Sequence, residues 1–151
     1  AARTEQARGP ITALIVNAGI LGTFSRAWET PPDVTRRVLE ANLLSGFVTT
    51  RAVLPHMLRN PLPNRGRVVM IGSAVGKEGS AFSGAYAASK AGLMALAKVM
   101  GKELATEGIL VNAIAPTVVR TAMEAGMDDA TRADKLRRIP MGRFAEPEEV
   151  A

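Results

Sequence analysis

The stretch Ile11-Thr-Ala-Leu-Ile-Val16 runs directly into Asn17-Ala-Gly19, and this stretch decides the fold. Its first six residues are almost continuously apolar, which is typical of a strand buried on both faces of a parallel sheet, and Asn17-Ala-Gly19 is a turn signal. Two similar apolar runs follow, Arg67-Val-Val-Met-Ile71 and Ile109-Leu-Val-Asn-Ala-Ile114. The sequence therefore predicts three buried strands.

Helical patterns separate the predicted strands. Thr30 precedes two prolines and predicts a helix from about Pro32 to Met57, with Thr30 as its N-cap. Strong helix formers fill residues 83–106, and Gly108 stands where a left-handed residue is expected after a helix. Residues 72–84 are rich in Gly and Ser and predict a connection.

The order strand, helix, strand, helix, strand predicts an α/β fold with right-handed crossovers, a partial Rossmann-type doubly wound parallel sheet of about three strands with flanking helices. A length of 151 residues without an internal linker predicts a single domain. Ligands bind beyond the carboxyl ends of such strands. Residues 17–19, 72–80 and 115–121 should therefore line one crevice.

Composition excludes several classes of function. The chain has no Cys, which rules out disulfides, Cys-ligated metals and thiol nucleophiles, and its single His provides no ligand pair, so no metal site is predicted. No apolar run approaches the ~18 residues of a membrane span. The net charge is +5, but the basic residues are spread out and few aromatics lie among them, so nucleic acid is not expected as a partner. Only residues 132–143 form a basic stripe, which is interpreted first as a solvated helix face.

Tyr86 and Lys90 form the sharpest pattern in the chain. They are four residues apart at the start of a predicted helix, so their side chains lie on one face. A neighbouring ammonium favours the ionised form of a phenol, which makes a tyrosine usable as a proton donor and acceptor near neutrality. Ser73 follows the second strand, where its hydroxyl could bond a substrate oxygen beside the phenol. From these residues alone, a catalytic pair and a chance pair of surface residues are equally good interpretations of Tyr86 and Lys90.

Five motifs in fixed order change that balance. They are Asn17-Ala-Gly19, Asn42 within Ala-Asn-Leu-Leu-Ser-Gly, Ile-Gly-Ser73, Tyr86-Ala-Ala-Ser-Lys90 and Asn112-Ala-Ile-Ala-Pro116. Together they resemble the classical short-chain dehydrogenase/reductase family over essentially the whole chain, and most closely its 3-oxoacyl-thioester reductases. Two departures are Pro116-Thr117, where the family usually has Pro-Gly, and Gly72-Ser73, where it usually has Ser-Ser. The second departure keeps the catalytic hydroxyl.

The resemblance implies an NAD- or NADP-dependent enzyme that interconverts a carbonyl and a secondary alcohol by hydride transfer. In it, Tyr86 is the general acid/base, and Ser73 orients and polarises the reacting oxygen. Lys90 favours the ionised form of Tyr86 and bonds the nicotinamide ribose. Asn42 holds a water that links the lysine to solvent; a buried Asn needs partners, which favours this role over accident.

The resemblance also assigns cofactor contacts. Asn17, Ala18 and Gly19 match the segment along the adenosine half of the cofactor, although Asn17 could equally be a turn residue at a strand end. Pro116, Val119 and Thr121 match positions beside the nicotinamide carboxamide. The preference between NAD and NADP is not readable.

Further expectations concern the rest of the molecule. Met123 and Met127 fall where the family has a mobile substrate lid, with a plain flexible loop as the alternative, and the lone His56 is expected on the surface. The chain begins Ala1-Ala2, so we expect a piece of a longer domain whose Gly-rich turn lies upstream and whose last strand lies downstream. If these residues were the whole polypeptide, we would expect weak cofactor binding and poor stability.

Substrates and partners stay open at this level. An acyl carrier protein thioester would suit the basic stripe, while polyol, sugar, steroid and xenobiotic carbonyl enzymes of the family share the same motifs. A cytoplasmic location and a homodimer or homotetramer built through the long helices are expected. The alternative from another class is a truncated or catalytically silent member that acts as an interaction module.

Overall fold

The computed structural model describes the backbone of residues 1–151 and all side chains except those of residues 123 and 125. The chain forms two compact units, Ala1–Ala115 and Pro116–Ala151. The single domain expected over residues 1–151 therefore stays a prediction. Among the described residues, no helix combines the length and the apolar character needed to cross a membrane.

The first unit is built on a three-stranded parallel sheet. Its strands are β1 (Ala13–Val16), β2 (Gly66–Ile71) and β3 (Ile109–Ile114), in the spatial order β1-β2-β3. Val16 is opposite Met70, which in turn is opposite Ala113. The parallel α/β sheet expected from the three apolar runs is confirmed, and all three strands end at the same edge.

Helices connect and cover these strands. Before β1 comes α1 (Ala2–Arg8), and before β2 come α2 (Pro32–Leu39), a π-helical turn (Glu40–Leu44) and α3 (Ser45–Met57), which form one continuous helical stretch. Between β2 and β3 lie the short α4 (Ala74–Glu78) and the long α5 (Gly84–Glu103). The predicted helices over residues 32–57 and 83–106 are therefore both present.

The core of the first unit lies between the sheet and the two long helices. Val68 and Met70 of β2 are fully buried, as are Met57 of α3 and Leu93 of α5. Burying each such side chain contributes about 1.5–3 kcal/mol, so the central strand and these helix faces are the main source of stability. This packing sets the position of the α5 residues relative to the strand ends.

The second unit contains α6 (Ala122–Ala125), α7 (Asp129–Arg137) and a 3₁₀ turn (Pro147–Glu149). Its backbone is held by a parallel bridge between Val119 and Ala145. Phe144 is buried, and the guanidinium of Arg132 lies 5.8 Å from the centre of its ring. The lid expected around Met123 and Met127 falls in this unit and stays a prediction, and the Met123 side chain lies outside the described residues.

The structure corrects several local expectations. Thr30 is not the N-cap, because its hydroxyl bonds to Ser25 Oγ and Arg26 O and the capping position belongs to Pro31. The first strand begins at Ala13 rather than Ile11, and only its last residue is buried. The connection over residues 72–84 contains α4, which is too short and too rich in Gly for sequence periodicity to detect. Helix α1 was also missed.

Candidate active site

Tyr86 and Lys90 meet at the start of α5. The Lys90 Nζ lies 5.9 Å from the centre of the Tyr86 ring, as the i, i+4 spacing predicts. Lys90 is only 4% exposed, and its Nζ donates a hydrogen bond of 2.7 Å to the carbonyl of Ile71, the last residue of β2. Burial lowers the pKa of the Lys90 ammonium from its usual 10.5. A partly desolvated cation therefore lies beside the chain's only phenol.

Asn42 lies in the π-helical turn and has no exposed surface. Its Oδ1 accepts from Ile20 N at 2.7 Å, and its Nδ2 donates to Ile20 O and to Ser89 Oγ, both at 2.9 Å. Both amide hydrogens are thus in use. A relay water, as the family resemblance implies, would have to bond the second lone pair of Oδ1 or the main-chain carbonyl.

Gly19, three residues after the end of β1, lies against Asn42 and Lys90. A Cβ atom at Gly19 would lie 3.1 Å from Asn42 Oδ1 and 3.4 Å from Lys90 Nζ. A side chain would crowd both groups, so only glycine allows such a close approach of the strand end. Gly19, Asn42 and Lys90 come from three separate motifs of the sequence, and the fold brings them together.

Ser73 follows β2 and begins the short helix α4. Its Oγ accepts a hydrogen bond of 3.2 Å from Val75 N, and its residue surface is 6% exposed. Helix α4 packs tightly on α5 at Gly76, where a Cβ would lie 2.7 Å from Ala91 N and 2.8 Å from the carbonyl carbon of Lys90. The Ser73 hydroxyl keeps its own hydrogen for donation, and the helix that it caps lies against the backbone of Lys90.

Ser89 is the functional neighbour that sequence reasoning missed. Fully buried, it accepts from Asn42 Nδ2 and donates a hydrogen bond of 2.7 Å to the main-chain carbonyl of Tyr86. It therefore connects the π-helical turn to the first turn of α5. The available signal was a small polar residue inside Tyr86-Ala-Ala-Ser-Lys90 on an otherwise apolar buried face, where a hydroxyl needs partners.

The remaining candidate residues lie in the segments that follow β1 and β3. Asn17 and Ala18 are exposed directly after β1. Pro116, Val119 and Thr121 belong to the second unit, where Val119 is half-buried in the bridge with Ala145 and Thr121 is exposed at the start of α6. Their expected contacts with a cofactor stay predictions.

His56 corrects the expectation of a surface residue. Its side chain is 17% exposed, and its Nδ1 lies 2.6 Å from the carboxylate of Glu5. Glu5 also accepts from Arg59, and these two partners, His56 first, lower the pKa of the Glu5 carboxyl. The group joins α1 to α3. No group of three or more carboxylate or imidazole side chains in the described part of the chain could hold a metal ion.

The basic stripe is partly neutralised by local ion pairs. Arg137 and Arg138 both bond to Asp134. Arg143 bonds to Glu149 at 2.7 Å, so the Glu149 carboxylate balances its charge. Arg132 pairs with Glu124 in the same way. The charge that this segment offers to an acidic partner is therefore smaller than its sequence indicates.

A parallel sheet with helices packed on it and polar residues gathered at the strand ends defines a Rossmann-type α/β protein. Residues 1–132 match the protein family described as short chain dehydrogenase. The chain therefore belongs to the short-chain dehydrogenase family, and the resemblance drawn from its motifs is confirmed.

The names of similar proteins indicate different substrates. The chain is 40% identical over 146 residues to 2-dehydro-3-deoxy-L-rhamnonate dehydrogenase (NAD(+)) of Sphingomonas sp. (strain SKA58), a match that covers 96% of this chain and 57% of the relative. It is 39% identical over 151 residues to the 3-oxoacyl-(acyl-carrier-protein) reductase FabG of Thermotoga maritima, covering 99% and 59%. The chain thus spans less than two thirds of the length of these curated relatives.

A solved structure gives the same fold. The crystal structure of NAD+-bound xylitol dehydrogenase superposes with a TM-score of 0.88 at 28% identity, covering 99% of this chain and 62% of that one. The residues present fit the sugar part of such a cofactor, because a buried ammonium with three N–H donors, one of them bonded to Ile71 O, suits vicinal hydroxyls.

Proposed function

We propose that this chain carries the catalytic part of an NAD(P)-dependent oxidoreductase that interconverts a carbonyl and a secondary alcohol, with Tyr86 as the general acid/base. The observation that carries the proposal is the buried Lys90 ammonium 5.9 Å from the Tyr86 ring, tied to the end of β2 through Ile71 O. A cation held there stabilises the negative charge that Tyr86 carries once it has given up its proton. Proton transfer by a positioned group of this kind contributes about 10²–10⁴-fold to a rate.

Each neighbouring residue has a part in this chemistry. In the reducing direction, Tyr86 gives its phenolic proton to the substrate carbonyl oxygen while the Ser73 hydroxyl donates a hydrogen bond to the same oxygen. In the oxidising direction, the tyrosine takes the proton from the alcohol. Lys90 stabilises the phenolate that Tyr86 becomes in the reducing direction and from which the oxidising direction starts. Asn42 holds the backbone around Ile20 and, through Ser89, the first turn of α5.

A nicotinamide cofactor supplies or accepts the hydride when it is bound. Lys90 would hold its ribose hydroxyls, and Asn17, Ala18 and Gly19 would lie along its adenosine half. Pro116, Val119 and Thr121 would contact the carboxamide. The name of the Sphingomonas relative, at 40% identity, includes NAD(+), which supports such a cofactor without deciding between NAD and NADP.

We propose that the substrate of the natural-length protein is a 3-oxoacyl thioester. Support comes from the 39% identity to a 3-oxoacyl-(acyl-carrier-protein) reductase over 99% of the chain. An acidic carrier protein would bind the stripe at residues 132–143, which holds five cations and one carboxylate, reduced by the local ion pairs already described. Sugar-acid and polyol substrates are the competing class, since relatives with those names match as well.

We also propose that the protein is a homodimer or homotetramer, whose interface is the outer face of α2 and α3. An apolar groove of about 450 Å³ runs along Pro32, Leu39, Leu43 and Phe47. Phe47, which lines this groove, is 49% exposed. An exposed groove of this character marks an interaction surface.

The catalytic proposal is tested by Tyr86→Phe and Lys90→Met in the natural-length protein, with carbonyl reduction followed by the loss of NADH or NADPH absorbance. Each change should lower kcat about 10²-fold or more. Lys98→Met is the matched control, since Lys98 is an exposed lysine on the same helix, and it should keep the activity. Full activity of Tyr86→Phe would refute the proposal, and 3-oxoacyl thioesters compared with sugar acids would decide the substrate class.

A further inference from the structure

Phe82 has a backbone conformation that its side chain does not favour. Its φ is +66°, in the left-handed region where glycine is at ease and bulky residues are strained. The residue is 55% exposed, so burial in the protein offsets little of that strain. An exposed phenyl group kept in a strained position indicates a contact made with something outside the chain.

The surrounding hydrogen bonds hold Phe82 in this position. Its carbonyl accepts a bond of 3.0 Å from Ser25 N, and Ser25 and Ser83 form a parallel bridge. The buried Ser83 adds a bond of 2.9 Å from its Oγ to Ser80 O. Tyr86 follows four residues later on α5. The backbone of Phe82 is therefore held by hydrogen bonds just before α5, four residues ahead of the proposed acid/base.

Phe24 lies next to it on the other segment of the bridge. Phe24 precedes Ser25 as Phe82 precedes Ser83, and because the bridge is parallel, both aromatic residues enter it from the same end. Phe24 is 70% exposed. The segment continues against the start of α5, since a Cβ at Gly84 would lie 3.1 Å from Ala27 Cβ. Two exposed phenylalanines thus precede the two bridged serines, and one of the two segments continues into the turn of α5 that carries Tyr86.

We propose that Phe82 and Phe24 contact the apolar substituent of the carbonyl substrate and select substrates that carry a long alkyl or aryl group. The inference rests on the function proposed above and names the substrate class of the same site. Phe82 is the specificity-determining residue, because its backbone is strained and its side chain is largely exposed rather than packed within the chain.

The charges of the two segments support an apolar rather than an anionic substituent. Residues 17–25 and 79–85 contain no Asp, Glu, Lys or Arg. The nearest cation in sequence is Arg26, whose guanidinium lies 5.5 Å from the centre of the Trp28 ring. A sugar acid would meet no counter-ion from these segments, whereas an alkyl chain would remove apolar surface from water on both sides.

The test uses the natural-length protein with NADPH and NADH and four probes, a short and a long methyl ketone and a short and a long 3-oxoacyl thioester of one thiol. Phe82→Gly should lower kcat/KM for the long probes about tenfold and for the short ones less than twofold. The same variant should raise Tm by about 2–4 °C, because glycine relieves the left-handed strain. Phe82→Leu should keep most of the long-chain preference.

Leu62→Ala is the control, since Leu62 is 60% exposed in the loop before β2, at the other end of the sheet. It should leave the preference unchanged. If Phe82→Gly lowers kcat/KM equally for long and short probes, or for neither, the inference is overturned. The proposed function still stands in that case, provided that reduction depends on Tyr86. If no probe is reduced, or if reduction survives Tyr86→Phe, both proposals fail.

Discussion

Replacing Asn42 with alanine should damage stability and activity together. The substitution removes three hydrogen bonds of 2.7–2.9 Å from a side chain with no exposed surface. At about 1 kcal/mol net for each bond, the free energy of unfolding should fall by about 3 kcal/mol. The lost volume leaves a small cavity, and the Ser89 hydroxyl loses its donor, so the true value should lie at or above this figure.

The activity loss follows from what those bonds position. Without the Asn42 side chain, the loop at Ile20 and the Ser89 hydroxyl that bonds Tyr86 O are released. A displacement of the acid/base by about 1 Å can cost roughly 10²-fold in rate. We therefore expect kcat for carbonyl reduction to fall at least tenfold.

Asn60→Ala is the matched control. Asn60 is also buried, and its Nδ2 donates two bonds of 2.8 Å, to Ile11 O and Arg65 O, at the opposite end of β1 and β2. Its loss should cost about 2 kcal/mol of stability yet leave kcat within twofold. Urea unfolding at constant m-value gives the stabilities, and NAD(P)H consumption gives the rates. Equal rate losses in the two variants, or an Asn42→Ala cost below about 1 kcal/mol, would refute the reasoning.

Two further predictions concern other parts of the chain. Gly76→Ala should destabilise the protein by about 1–3 kcal/mol and reduce activity, because its Cβ would press on the backbone of Lys90, whereas Gly126→Ala, with nothing within 4 Å, should change stability by less than about 0.5 kcal/mol in the same unfolding assay. Arg143 first, and then the Glu146 N–H, lower the pKa of Glu149 from 4.5 to about 2, so the stabilisation from these bonds is present above about pH 4.5 and is lost as the pH falls through 2. Arg143→Gln should move the Glu149 midpoint back towards 4.5, as followed by NMR, and an unchanged midpoint would contradict this origin of the shift.

Much of the candidate site could be read from the sequence because its chemistry depends on local spacing. Tyr86 and Lys90 share a helix face at i, i+4, and Ser73 follows a strand whose position the apolar run indicates. These relations need no knowledge of distant contacts. The role of Ser89 could not be read in the same way, because its partner Asn42 lies 47 residues away.

The sequence alone determined the order of strands and helices, because hydrophobic periodicity and helix propensity act over neighbouring residues. It missed α4 and placed the cap at Thr30, where a few local hydrogen bonds outweigh propensity. Only the tertiary structure decided that Gly19 must be glycine, that Lys90 is buried against Ile71 O, and that Phe82 is strained. Each of these depends on the close approach of segments far apart in the chain, and side-chain burial and backbone strain arise only once the parallel sheet has brought those segments together.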